Sequence, residues 1–105
     1  MTAPEGSIVV PLDGSKIAER AVPLAAKLAQ GCGAPVAFVH VLDPHQYDRP
    51  GEPELAERAF REYVEDLASR YRIEQWAAAV LGGHASEKVL EYAARARWIC
   101  LASHG

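Results

Sequence analysis

The residues best suited to chemistry follow short apolar segments of the chain. Asp13 comes directly after the apolar residues 7–12, and the sequence Ser-His-Gly at 103–105 comes directly after the apolar residues 98–102. A carboxylate can accept hydrogen bonds from an amino group or from ribose hydroxyls. Serine, histidine and backbone N–H groups can donate to phosphate oxygens, above all where a helix begins beside them. Both segments are therefore candidate ligand-binding segments.

Asp13 also fits a purely structural role. The sequence Asp13-Gly14-Ser15 is common turn chemistry, and such a group can cap the helix that follows it. Residue types and spacing leave the ligand-binding and capping interpretations open.

The sequence predicts no catalytic residues. Ser15 and Ser103 lack the Gly-x-Ser-x-Gly setting of a nucleophilic serine, and the spacing indicates neither a carboxylate pair nor a His-Cys grouping. His40 lies between two valines, which is typical of a hydrogen-bonded core histidine. We therefore expect a binding protein rather than an enzyme, with a small α/β hydrolase as a less favoured alternative.

Motifs for metals and for the commonest nucleotide sites are absent from the sequence. The two cysteines and four histidines lie apart, so neither a metal site nor a disulfide framework is expected. The chain has no Gly-x-x-x-x-Gly-Lys-Ser/Thr loop and no Gly-x-Gly-x-x-Gly fingerprint. A phosphoacceptor receiver domain would need an aspartate after its third strand, where this chain has Val80-Leu81-Gly82-Gly83.

The composition is that of a single compact domain over residues 1–105. Half of the residues are hydrophobic and 24% are charged. The net charge of −3 lacks the basic excess of a nucleic-acid-binding protein. The longest apolar run, residues 76–81, is too short to cross a membrane, and the first residues do not resemble a signal peptide. We expect a cytoplasmic protein.

Strands and helices alternate along the chain and must position these segments. We predict strands at 7–12, 35–42, 73–81 and 98–102, and helices at 16–30, 54–70 and 87–95. Pro23 predicts a kink in the first helix, residues 43–53 a loop, and Ser86 the N-cap of the last helix. The alternation predicts a doubly wound, open parallel α/β sheet. Ligands of such sheets bind beyond the carboxyl ends of the strands, which here means residues 11–15, 41–43 and 102–105.

Five motifs in order resemble the universal stress protein family over almost the whole chain. They are Ser7-Ile-Val-Val-Pro-Leu-Asp-Gly-Ser15, Ala18-Glu-Arg-Ala21, Val39-His-Val-Leu-Asp43, Gly83-His-Ala-Ser-Glu87 and Leu101-Ala-Ser-His-Gly105. The resemblance implies a flavodoxin-like sheet and a stress-response role in regulation or sensing. It also implies a site for ATP or another adenine nucleotide, with no metal beyond nucleotide-associated Mg²⁺. Weak ATP hydrolysis stays open.

The resemblance also implies which residues would meet the nucleotide. Pro11, Leu12 and Asp13 would line the adenine and ribose side, and Val41 would contact the base through its backbone. Ala102, Ser103, His104 and Gly105 would open the phosphate loop. The resemblance therefore favours a ligand-binding role for Asp13 over a capping role.

The sequence departs from the family pattern at its carboxyl end. The family motif is Gly, two residues, Gly, nine residues, Gly and then Ser or Thr; its first glycine falls on Ala102 and its second on Gly105. The family usually continues through a further helix and a fifth strand that commonly mediates dimerisation. We therefore expect low nucleotide affinity, together with an open strand edge that favours a homodimer or other self-association. The alternative is a family member that binds no ATP and acts through homodimerisation or protein association.

Overall fold

The structure is a computed structural model that describes residues 1–102. Four strands alternate with five helices in this part of the chain. In chain order they are β1 (Ile8–Pro11), α1 (Lys16–Glu19), α2 (Ala21–Cys32), β2 (Val36–Leu42), α3 (Pro44–Tyr47), α4 (Glu52–Arg70), β3 (Trp76–Gly82), α5 (Ala85–Tyr92) and β4 (Trp98–Ile99).

The strands form one parallel sheet in the order β3-β2-β1-β4. Ile8 of β1 pairs with Val36 of β2 on one side and with Trp98 of β4 on the other. Because the chain passes from β1 to β2 and β3, and then returns to the far side of β1, the strand order reverses between β1 and β4. This reversal marks the crevice where ligands bind in open α/β sheets.

Helices cover both faces of the sheet, as predicted. Ile8, Val10 and Phe38 point to the face covered by α2 and α4, whereas Val9 and Val39 point to the face covered by α5. All five side chains are at most 1% exposed. The uninterrupted apolar sequence of β1 and β2 arises because consecutive residues of a strand face opposite sides, and both sides of these strands are buried.

The first predicted helix is divided in two. Its hydrogen bonding is interrupted at Arg20, although the backbone of Arg20 keeps helical angles of −62° and −21°. Pro23 causes this interruption because it lacks the N–H that would bond to the carbonyl of Glu19. Pro23 then lies in the first turn of α2, where N–H groups need no helical partner. The predicted kink is therefore a junction between two helices.

The predicted loop over residues 43–53 contains a short helix. Asp43 caps α3, accepting a 2.8 Å hydrogen bond from the N–H of Gln46, while the Gln46 side chain accepts from the N–H of Asp43. This reciprocal arrangement is a capping box. The following helix, α4, begins at Glu52 rather than Glu54, with Pro53 accommodated in its first turn.

Several predicted boundaries near the carboxyl end are wrong, including the end of the last helix, which is Tyr92 rather than residue 95. The third strand begins at Trp76 and ends at Gly82, and α5 is preceded by His84 as N-cap rather than by Ser86. The N–H of Gly83 makes the last hydrogen bond to β2, to the carbonyl of Leu42, and the positive φ of Gly83, 137°, then turns the chain toward α5. The last strand is confined to Trp98–Ile99, the two residues paired with β1.

Each outer strand carries one tryptophan with an arginine over its ring. The guanidinium carbon of Arg61 lies 5.8 Å from the ring centre of Trp76 on β3. The corresponding distance from Arg97 to Trp98 on β4 is 4.5 Å. Both distances suit cation–π contacts.

Candidate functional site

The candidate residues after β1 lie at the strand reversal. Pro11 is the last residue of β1, and the N–H of Leu12 extends the strand by donating a 2.9 Å hydrogen bond to the carbonyl of Val39. Leu12 is buried, whereas Asp13 is exposed to solvent. The fold thus brings an anchored backbone to the crevice and presents a carboxylate immediately beyond it.

Asp13 organises a tight turn at the start of α1. Its Oδ1 accepts a 2.9 Å hydrogen bond from the N–H of Ser15, and Ser15 Oγ accepts a 3.1 Å bond from the N–H of Ala18. Ser15, not Asp13, is therefore the N-cap. Hydrogen bonding from Ser15 is the main cause that lowers the pKa of Asp13, so its carboxylate stays charged at neutral pH. Among residues 1–102, no hydrogen bond reaches the second oxygen, Oδ2.

Val41 and Ala102 lie on opposite sides of this turn. Val41 is a half-buried residue of β2, pairs with Leu81 of β3 and packs in the cluster beneath α5. Ala102 is half-buried against the cluster beneath α2 and α4. The remaining predicted site residues, Ser103, His104 and Gly105, lie outside the described residues.

An apolar groove of about 340 Å³ opens beside Pro11. Its floor comes from β1 and β4 and its wall from α5. Leu101 is 72% exposed and Leu90 is 66% exposed, so the groove presents large apolar side chains to solvent. The residues that line it are Pro11, Ala85, Ser86, Val89, Leu90, Ile99 and Leu101. The sequence alone does not predict this groove, because its residues come together only when the chain returns to form β4 beside β1.

His40 reaches the same edge from the neighbouring strand. Its Nδ1 lies 2.8 Å from the carbonyl oxygen of Leu12, and its ring stacks on Phe60 at 5.6 Å between ring centres. The predicted hydrogen bond of this histidine is confirmed, although its side chain is half-buried rather than enclosed in the core. The sequence could not identify Leu12 as its partner, because the two residues are 28 positions apart.

Tyr63 extends this aromatic row. Its ring lies 6.3 Å from that of Phe60. The Tyr63 hydroxyl oxygen is buried without a hydrogen-bond partner in the described part of the chain. Burial, and then the nearby Glu19, raise the pKa of Tyr63 well above its usual value, so the phenol stays protonated.

Helix α3 packs over the ends of β2 and β3 through the ring of Tyr47. The Tyr47 ring occupies the space in which a Cβ on Gly82 would lie. Glycine is therefore required at position 82 as long as Tyr47 keeps this position. Tyr47 remains 43% exposed, so α3 adds a partly exposed aromatic ring to this edge of the sheet.

A second cavity lies at the opposite edge of the sheet. It measures about 440 Å³ and is formed where α2 ends and β3 is about to begin. The polar residues in its lining, Gln30, Arg72, Glu74 and Gln75, are all exposed. It is a surface hollow at the amino end of the sheet, away from the strand reversal.

The described residues hold neither a candidate metal cluster nor a candidate membrane span. Within residues 1–102, no group of three or more His, Cys, Asp and Glu side chains could hold a metal ion. The longest helix, α4, carries many charged residues, and no described helix has the length and apolarity needed to cross a membrane.

One protein family matches almost the whole chain. The model of the universal stress protein family matches residues 6–105. The chain belongs to the universal stress protein family. Membership implies a role in the response to stress. No match was found among curated proteins.

Solved structures of universal stress proteins share the fold. UspA from Lactobacillus plantarum is 23% identical, with a TM-score of 0.72 over 99% of this chain and 81% of that chain. A family protein from Burkholderia pseudomallei is 31% identical, with a TM-score of 0.56 over 86% of this chain and 73% of that chain. A universal stress protein in complex with cAMP is 20% identical, with a TM-score of 0.65 over 88% of this chain and 66% of that chain. The parallel, flavodoxin-like sheet predicted from the sequence is confirmed.

Proposed function

We propose that this universal stress protein is a cytoplasmic regulatory module that binds an adenine nucleotide, with low affinity, at the carboxyl ends of β1, β2 and β4. The observation that carries the proposal is the exposed Asp13 carboxylate, which the fold holds in a fixed turn at the strand reversal. One similar protein has been solved in complex with cAMP, an adenine nucleotide. The proposal is for binding rather than catalysis.

The described residues fit the base and sugar of a nucleotide. Asp13 has one carboxylate oxygen in the turn and the other available to accept hydrogen bonds from ribose hydroxyls. Pro11 supplies an apolar surface beside the crevice, and the backbone of Val41 supplies donors and acceptors for a base. Ser103, His104 and Gly105 would meet the phosphates in this proposal. Ala102 stands where the family motif has glycine, and its methyl group would reduce the space for a phosphate, which supports low affinity.

Calorimetric titration with ATP, AMP and cAMP tests the proposal. We expect Asp13→Ala to weaken nucleotide binding by at least about tenfold, because it removes hydrogen bonds to a charged acceptor. Asp66→Ala is the matched control, since Asp66 is an exposed carboxylate on α4 paired with Arg70 at 2.7 Å. Absence of any binding to the wild type would refute the proposed function, and equal affinities of wild type and Asp13→Ala would refute the assigned site.

The exposed apolar edge favours a second candidate function, self-association. β4 pairs with β1 on one side, and no described strand pairs with its other side. Trp98 is 39% exposed and Ile99 is 37% exposed. Together with Leu101 they form an apolar edge of a kind that promotes pairing between chains. A homodimer through this edge would let the protein act by association without a nucleotide.

Solution mass as a function of concentration tests the second candidate. We expect a dimer for the wild type and a monomer for Leu101→Lys, because a charge would have to be buried at the interface. Leu55→Lys is the control, since Leu55 is 61% exposed on α4. A wild type that stays monomeric at all concentrations, or a Leu101→Lys variant that still dimerises, would argue against association through β4.

A further inference from the structure

The hydrogen bond between His40 and Leu12 links the middle of the sheet to the turn that carries Asp13. β1 ends at Pro11, and the N–H of Leu12 is held by Val39. The Leu12 carbonyl oxygen lies 2.8 Å from His40 Nδ1. Both backbone polar groups of Leu12 are thus bound to β2: its N–H to the backbone of Val39 and its carbonyl to the side chain of His40.

The chemistry of the pair places a proton on Nδ1 of His40. A carbonyl oxygen can only accept a hydrogen bond, so Nδ1 must carry the proton that it donates to Leu12. The stack on Phe60, with 29° between the ring planes, holds the imidazole in the orientation that this bond needs. Phe60 is itself 7% exposed within α4, so the ring is supported by the core.

We propose that His40 is a positioning residue for Asp13: by holding the Leu12 carbonyl it fixes the plane of the Leu12–Asp13 peptide, and so the direction of the Asp13 carboxylate. The inference rests on the proposed nucleotide site and adds a residue that does not itself touch the ligand. Asp13 in turn holds Ser15 through the 2.9 Å bond to its N–H, and Ser15 caps α1. A rotation of the peptide after Leu12 would therefore move the carboxylate and loosen the cap together.

A core histidine without a positioning role would behave differently. Its replacement would lower the free energy of unfolding and leave the Asp13 turn unchanged in the folded state. A positioning residue affects the turn whether or not stability changes. A test must therefore distinguish the effect of losing the Nδ1 hydrogen-bond donor from the effect of losing the packing of the imidazole ring.

Two amide substitutions provide this separation. His40→Asn places an amide N–H donor near the position of Nδ1, whereas His40→Gln moves the donor one bond farther along the side chain, near the position of Nε2. Both variants lose the stack on Phe60, so their difference reports the donor. His45→Asn is the control, because His45 is an exposed residue of α3 whose ring nitrogen contacts Arg49 at 3.2 Å.

Three measurements on each variant decide the question: ATP affinity by calorimetry, backbone amide resonances of Asp13, Gly14 and Ser15, and thermal denaturation. We expect His40→Asn to keep near wild-type resonances and affinity. His40→Gln should shift the three resonances and weaken ATP binding about 3- to 10-fold, the equivalent of one hydrogen bond. Should His40→Gln fail to fold, His40→Phe, which keeps the stack and lacks the donor, takes its place and should show the same losses. Should His40→Asn fail to fold, the wild type takes its place in a comparison with His40→Phe, since these two share the stack and differ in the donor.

Equal resonances and equal affinities in the Asn and Gln variants would overturn the positioning role and leave His40 as a core residue. If the wild type binds no nucleotide, the proposed function fails. The resonances of the turn then still decide whether His40 sets the geometry of Asp13.

Discussion

Two neighbouring strands at the candidate site, β1 and β4, differ in how deeply they are buried and how far they are paired. The side chains of Ile8, Val9 and Val10 on β1 are fully buried, and the chain beyond them is held by successive hydrogen bonds to β2 and within the Asp13 turn. β4 runs beside β1 for two residues, and the side chains of Ile99 and Leu101 are exposed. Core packing and hydrogen bonds thus hold the β1 side of the crevice in place. The β4 side has few such contacts within the described residues, so we expect its conformation to respond to a ligand or a partner.

The same substitution on the two strands gives the largest expected contrast. Ile8→Ala should lower the free energy of unfolding by about 2–5 kcal/mol, because Ile8 is fully buried and its loss leaves a cavity. Ile99→Ala, on a side chain that is 37% exposed, should cost less than about 1 kcal/mol. Urea denaturation monitored by circular dichroism measures both values. Similar losses in the two variants would contradict the contrast between β1 and β4.

A second test concerns the packing of α3 on the ends of β2 and β3. Gly82→Ala should destabilise the protein by about 1–3 kcal/mol, because the new methyl group overlaps the Tyr47 ring. Tyr47→Ala in the same chain should remove most of that additional cost. Denaturation of both single variants and the double variant gives the coupling energy. Strict additivity would mean that the ring does not rest on Gly82.

Two serines at helix starts give a smaller contrast. Ser15→Ala should cost about 1 kcal/mol, since the Ser15 side chain caps α1 beside the crevice. Ser86→Ala should have almost no effect, because the N-cap of α5 is His84 and Ser86 lies inside the helix. Thermal denaturation of the two variants tests this difference. An equal loss from both would restore Ser86 as a cap.

The pH dependence of Asp13 gives the smallest effect. Because Ser15 lowers the pKa of Asp13 in the folded protein, the charged carboxylate stabilises the fold at neutral pH, and this contribution is lost as the pH falls through the lowered pKa. The stability difference between wild type and Asp13→Asn should therefore be present at pH 7 and shrink in acid. Urea denaturation at a series of pH values measures it. A difference independent of pH would show that the carboxylate charge has no role in the turn.

The order and direction of the main elements could be predicted from the sequence, because their signals are local. Uninterrupted apolar segments such as residues 36–42 predict buried parallel strands, and the spacing of apolar residues in α4 predicts a helix with one buried side. Pro23 also predicted a disturbance in the first helix. The interruption itself lies at Arg20, next to Glu19, whose carbonyl has no N–H partner four residues on because residue 23 is a proline.

The boundaries that could not be predicted depend on partners distant in the chain. Ser86 has the right residue type for a cap, but the pairing of β3 with β2 ends with the bond from the Gly83 N–H to Leu42, and the helix begins before Ser86 is reached. The last strand ends where its pairing with β1 ends, and its apolar composition extends farther. In the site, the Asp13 turn was visible in the sequence, whereas its link to His40 and the groove beside Pro11 required the strand order.

The tryptophans of the outer strands also serve as built-in optical probes. Trp76 and Trp98 are the two tryptophans of the chain, and they lie on β3 and β4, at opposite borders of the sheet. In Trp98→Phe the remaining indole emission reports the β3 border, and in Trp76→Phe it reports the β4 border. The emission of the intact protein therefore combines signals from β3, which pairs with its neighbour over seven residues, and from β4, which pairs over two. Comparing the two variants during unfolding would show whether the sheet unfolds as one unit or from β4 inward.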